Sequence, residues 1–108
     1  MGSREYLGEF ELVVMATLAR LGDEAYGMSI RRSIEERTGR SVSIGNVYAA
    51  LRRLDAKGYV STRKGEPTAE RGGRAKIFYE LEPDGIEALE RSRDLFLSIL
   101  PDLPQPLG

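Results

Sequence analysis

A chain of 108 residues fits one domain of modest core, and with no Cys and no His it excludes disulfides, the usual zinc sites and the commonest general base. Its 16 Lys and Arg against 17 Asp and Glu leave a net charge of −1, which argues against a non-specific polyanion coat. No apolar run reaches the length of a membrane span and Met1 to Arg4 lacks the regions of a signal peptide, so a cytoplasmic protein without a membrane partner is expected.

Phe10, Val13, Val14, Thr17, Leu18 and Leu21 recur at helical spacing, with Gly22 following as a left-handed stop. After a turn at Gly22 to Ala25, Met28, Ile30 and Ile34 define a second, shorter helix that ends with Arg37 in its last turn and Gly39 just beyond. Ser43 is a good N-cap for a third helix, whose apolar residues Ile44, Val47, Leu51 and Leu54 form a narrow stripe before Gly58. Tyr59 to Lys64 and Ala75 to Leu81 predict strands, joined by a polar connection from Gly65 to Arg74, with Ile77, Tyr79 and Leu81 on one face. A hairpin of this size is marginal alone and must lean on the helices. Pro83 and Asp84 open a fourth helix that Pro101 ends, and the Pro-rich tail reads as disordered.

Charge is concentrated in this layout. From Arg37 to Lys76 there are ten Lys or Arg against three acids, a balance of +7 inside a chain of net −1. The block covers the third helix and the hairpin, which makes double-stranded DNA the partner to consider first. Helix, helix, helix, hairpin, helix is the order of a winged helix-turn-helix: mainly α with a small β-hairpin, plus a C-terminal helix. Opposite the buried stripe of the third helix lie Gly45, Ala49, Arg52, Arg53 and Ala56, with Asn46 on the flank. Small residues let the axis sink into a major groove, Asn46 suits an adenine edge, and the Arg side chains suit phosphate or guanine. Ser41 and Ser43 add candidate phosphate contacts from the helix N-terminus. Ser43 also reads as a plain cap, Asn46 as a residue satisfying a first-turn amide, and Tyr48 as either a core ring or a phosphate contact. On the hairpin, Arg63, Lys64 and Lys76 sit below a tip where Arg71 and Arg74 flank Gly72 and Gly73, suited to following the phosphates. Glu66 and Glu70 oppose that locally.

Several motifs in order resemble the PadR family of bacterial transcriptional regulators. They are Leu7-Gly8-Glu9, Ala25-Tyr26-Gly27, Val47-Tyr48 with Leu51-Arg52-Arg53-Leu54, Lys57-Gly58-Tyr59-Val60, and Glu70-Arg71-Gly72-Gly73-Arg74 with Phe78-Tyr79. The resemblance spans Tyr6 to Leu89. It implies a homodimeric repressor on a pseudo-palindromic operator, with a small aromatic or drug-like inducer as a further partner. It also implies that Tyr48, Arg52, Arg53, Arg71, Gly72, Gly73 and Arg74 contact DNA. Two departures are visible: Glu82, a poorer cap than Thr, precedes the last helix, and no Trp is present to stack a flat ligand.

A dimer is also expected from the last helix itself. Ile86, Leu89, Phe96, Leu97 and Leu100 share one side while Ala88, Leu95 and Ile99 lie opposite, too much apolar surface for one small core. The expected interface joins Phe10 and Val14 of the first helix to Ile86, Leu89, Arg93, Phe96, Leu97 and Leu100. Residues 6–81 thus read as the winged DNA-binding domain, 82–100 as a dimerisation helix and 101–108 as a tail. Without a nucleophile and base to pair, no enzyme and no cofactor are expected, and Arg31, Arg32, Glu35 and Glu36 read as surface ion pairs. The rival reading is a winged-helix dimer for sensing a small molecule or binding a protein, without an operator.

Overall fold

A computed structural model describes residues 7–67 and 75–104. Helix α1 spans Glu9–Leu21, a 3₁₀ turn Gly22–Glu24 follows, and α2 spans Gly27–Thr38. Helix α3 spans Ile44–Ala56, strands β1 and β2 span Val60–Pro67 and Ala75–Leu81, and α4 spans Pro83–Ile99. The chain is mainly α with one antiparallel hairpin, in the winged helix-turn-helix order that the periodicity predicts.

The core is built where three apolar stripes meet. Val14, Met15 and Leu18 of α1, Ile30 and Ile34 of α2, and Val47, Ala50, Leu51 and Leu54 of α3 are all buried, with Ala25 and Val60 beside them. Each large side chain there contributes about 1.5 to 3 kcal/mol by leaving water. Three expectations change. Met28 is 42% exposed, so the inner face of α2 is Gly27, Ile30 and Ile34. Val14 is buried in the core and so is not free to face a second subunit as expected, while Leu89, like Phe10, is only partly buried against that core. Strand β1 runs on through Gly65, Glu66 and Pro67, with its register slipping between Lys64 and Pro67, where a connection was expected.

The hairpin leans on the helices through its backbone. The amide of Tyr79 donates to the carbonyl of Ala25 at 2.8 Å, and an isolated bridge pairs Tyr26 with Phe78. Tyr79 and Leu81 pack against the core, whereas Ile77 on the same strand is exposed.

Helix α4 is fixed at its start. Glu82 makes no side-chain cap, in keeping with its poor capping chemistry, but its amide donates to the carbonyl of Tyr59 at 2.9 Å and its carboxylate accepts from the Ser61 hydroxyl. Gly85 lies so close to the Tyr59 carbonyl that any Cβ would collide with it. Only Gly85 and Ala88 of α4 are buried, and every residue from Arg93 to its end is exposed. Pro101 to Pro104 follow without regular structure, and the rest of the tail lies outside the described residues. No helix among the described residues is long and apolar enough to cross a membrane.

Candidate nucleic-acid interface

Helix α3 begins as its sequence dictates. The Ser43 hydroxyl accepts from the Asn46 amide at 3.1 Å, so Ser43 is the cap and Asn46 supplies the capped backbone group, leaving its side chain exposed. Gly45 is open to solvent, with no atom within 4 Å of where a Cβ would stand. Asn46, Tyr48, Arg52 and Arg53 are exposed along the same helix. Ala49 is half-buried and lines a shallow depression with Phe10, Ser41, Asn46 and Arg53. Tyr48 is neither core nor free: it is 39% exposed, and its hydroxyl end rests on Gly27, where no side chain could be tolerated without moving it.

The bend before α3 is clasped from α2. Arg31 donates to the Val42 carbonyl at 3.0 Å, and Glu35 accepts from the Val42 amide at 3.0 Å. The two side chains also form the expected ion pair, at 3.7 Å. Both backbone groups of one turn residue are thus held by a charged pair, which fixes the angle between α2 and α3. Reading Arg31 and Glu35 as a surface pair missed this role. The detectable signal was a pair at helical spacing directly ahead of a helix-ending Gly.

Two predicted contacts are engaged inside the chain. The Arg53 guanidinium donates to Glu11 at 3.0 Å, and Lys57 reaches the other oxygen of Glu11 at 3.4 Å. Arg63 donates to Glu80 at 3.0 Å and to the Asp23 carbonyl at 3.2 Å, and lies 4.6 Å from the centre of the Phe78 ring. Arg53 ties α3 to α1, and Arg63 ties the hairpin to the 3₁₀ turn. Both charges are therefore partly neutralised before any polyanion arrives. Arg52, Lys64 and Lys76, by contrast, form no ion pair among the described residues. Arg71, Gly72, Gly73 and Arg74 of the tip lie outside the described residues.

Burial pushes the Glu11 carboxyl up, but the Gly8 amide, Arg53 and Lys57 together hold it below its ordinary value of 4.5. Glu11→Gln keeps the shape and removes the charge, and is expected to cost about 1 to 2 kcal/mol near neutral pH in urea unfolding. A depressed carboxyl contributes in full above about pH 4.5, and that contribution is lost as pH falls through the folded value. Stability of the parent should fall more steeply in that acid window than stability of the variant. Identical acid limbs would remove Glu11 from this clamp.

Burial likewise raises the Tyr79 hydroxyl, with Tyr48 and Asp55 adding to the shift and Arg52 opposing it. Tyr79 thus backs the middle of α3 with a neutral phenol.

A family model described as the transcriptional regulator PadR-like family matches residues 14–91. A PadR family transcription regulator from hypervirulent Clostridium difficile R20291 superposes with a TM-score of 0.71 at 23% identity, over 85% of this chain and 91% of that one. RosR of H. salinarum, grown from NaBr, gives 0.65 at 29% identity, over 85% and 76%. A PadR-like transcriptional regulator from Bacillus cereus strain ATCC 14579 gives 0.66 at 19%, over 83% and 82%. No match to a curated protein was found.

Proposed function

The chain belongs to the transcriptional regulator PadR-like family, and from that membership we propose that it is a cytoplasmic, sequence-specific DNA-binding repressor. It acts as a homodimer on a pseudo-palindromic operator. The observation that carries this reading is the outward face of α3, where Gly45, Asn46, Tyr48 and Arg52 are exposed beside exposed Lys64 and Lys76 of the hairpin. Small residues let a helix approach the groove closely, an exposed amide suits a base edge and cations suit phosphate or guanine. Ser43 caps the helix whose N-terminus then favours phosphate, with Ser41 nearby. Residues 6–81 form the DNA-binding domain in this reading and 82–100 the dimerisation helix. An inducer would be a small aromatic or drug-like molecule bound without tryptophan stacking, since the chain has no Trp.

Two-fold symmetry would set the two α3 helices about 34 Å apart on one face of the duplex. Selection of bound duplexes from a random pool tests this directly. The expected result is a symmetric enriched motif whose half-sites are centred about 10 base pairs apart. A dimeric chain that enriches no motif would instead support a winged-helix sensor or protein-binding module without an operator.

A further inference from the structure

Between α3 and the hairpin stands a residue that neither of them supplies. Tyr26 is the N-cap of α2, and its backbone is held on both sides. Its amide donates to the Ser29 hydroxyl at 2.9 Å, and that hydroxyl donates to the Glu24 carbonyl at 2.6 Å. Across the hairpin, Tyr26 bridges to Phe78, with the two rings edge to face at 5.6 Å between centres. The next residue, Gly27, carries the hydroxyl end of Tyr48 from α3. Tyr26 therefore joins the exposed face of α3 to strand β2 in one continuous surface.

Two cations from different elements converge on this ring. The Lys76 ammonium of β2 lies 4.3 Å from its centre. Arg32, in the second turn of α2, and Lys76 both favour the ionised phenol and hold it below its ordinary value although burial opposes them. Neither cation pairs with a carboxylate among the described residues. Gathering two like charges around one hydroxyl is unfavourable unless an anion completes the group. All the free functions are donors, a guanidinium, an ammonium and a phenol, which suits a tetrahedral oxyanion and offers nothing to a base edge.

We propose that Tyr26, Arg32 and Lys76 form a seat for one backbone phosphate of the bound duplex, placed between the recognition helix and the wing. This rests on the DNA-binding reading above. The seat fixes register without reading sequence, and it gives α2 a direct part in binding. An open surface of this kind holds a free phosphate weakly, whereas α3 and the wing on either side deliver a duplex phosphate to it.

The test uses the full chain and a duplex of random sequence, with binding measured against salt. Each protomer's seat neutralises one phosphate, so Arg32→Gln should flatten the slope of log K on log salt by about two per dimer. The affinity lost between 50 and 200 mM salt then becomes about tenfold smaller than for the parent. Tyr26→Phe should weaken binding a few-fold while keeping the parent slope, because it removes a donor and no charge. Arg20→Gln, an exposed cation on α1 outside the patch, should leave both unchanged. Melting temperature controls for folding, Arg32 being exposed. A parent that binds while Arg32→Gln keeps the full slope overturns the seat alone. A parent that fails to bind at 50 mM salt overturns the DNA-binding reading and the seat with it. Millimolar binding of inorganic phosphate that Arg32→Gln abolishes, with the duplex slope unchanged, would make this a free-anion site and also overturn the proposal.

Discussion

Raising salt from 50 to 200 mM should weaken binding to the selected duplex by about 10³ to 10⁵-fold. The basis is counterion release: each phosphate neutralised by Lys or Arg contributes a slope of about −0.9, and some six to ten phosphates per dimer give that range. The structure limits which cations count. Arg53 and Arg63 are already paired with Glu11 and Glu80, so they add little net charge to the contact. Arg52, Lys64 and Lys76 remain unpaired among the described residues, and Arg71 and Arg74 belong to the tip beyond them. Together with Arg32 of the proposed seat these make six cations per protomer, which places a dimer at or above the upper end of the range. The chain as a whole is net −1, so the effect must come from this local face and not from bulk attraction. A response close to flat in a filter-binding or anisotropy titration would remove the groove model.

What could be read in the sequence divides by range. Helix α3 was fully legible because its stripe, its Ser43 cap and its stop at Gly58 are all local, and the positive φ of 76° at Gly58 explains that stop. Met28 misled because the inner face of α2 starts at Gly27, and a glycine packed under Tyr48 gives no hydrophobic signal. The end of β1 was hidden by Gly65 and Pro67, which read as loop residues but here sit at a slipped register. Arg53 and Arg63 shared the same blind spot: a helical wheel or strand pattern shows which way a cation leaves the backbone, not what waits there. Their acid partners lie 42 and 17 residues away in sequence. Tyr26 is the same case, since its neighbours Lys76 and Phe78 arrive from the far strand of the hairpin.

Replacing Phe96 and Leu97 together by Asp should convert the protein from a dimer to a monomer and lower operator affinity by about 10² to 10⁴-fold. In the single chain these side chains are 61% and 58% exposed, and Leu95, Ile99 and Leu100 around them are exposed as well. Among the described residues the only ion pair on that half of α4 is the adjacent Arg93 and Asp94, both open to solvent, which contributes little. An apolar helix end this exposed gains by being covered by another surface, and closed two-fold pairing covers both copies at once. Val14 is committed to the core, which leaves the proposed interface to α4, with Ile86 and the partly exposed Leu89 and Phe10 at its margin. Two Asp residues per subunit would bring four like charges into a dry junction, a cost far beyond the loss of contacts. The winged domain should still unfold cooperatively, because its core lies in α1, α2, α3 and β1. Affinity falls because the second half-site loses the local concentration that the junction supplies. Light scattering that still gives twice the chain mass, or a monomer that keeps the affinity of the parent, would show that α4 does not hold the two readers together.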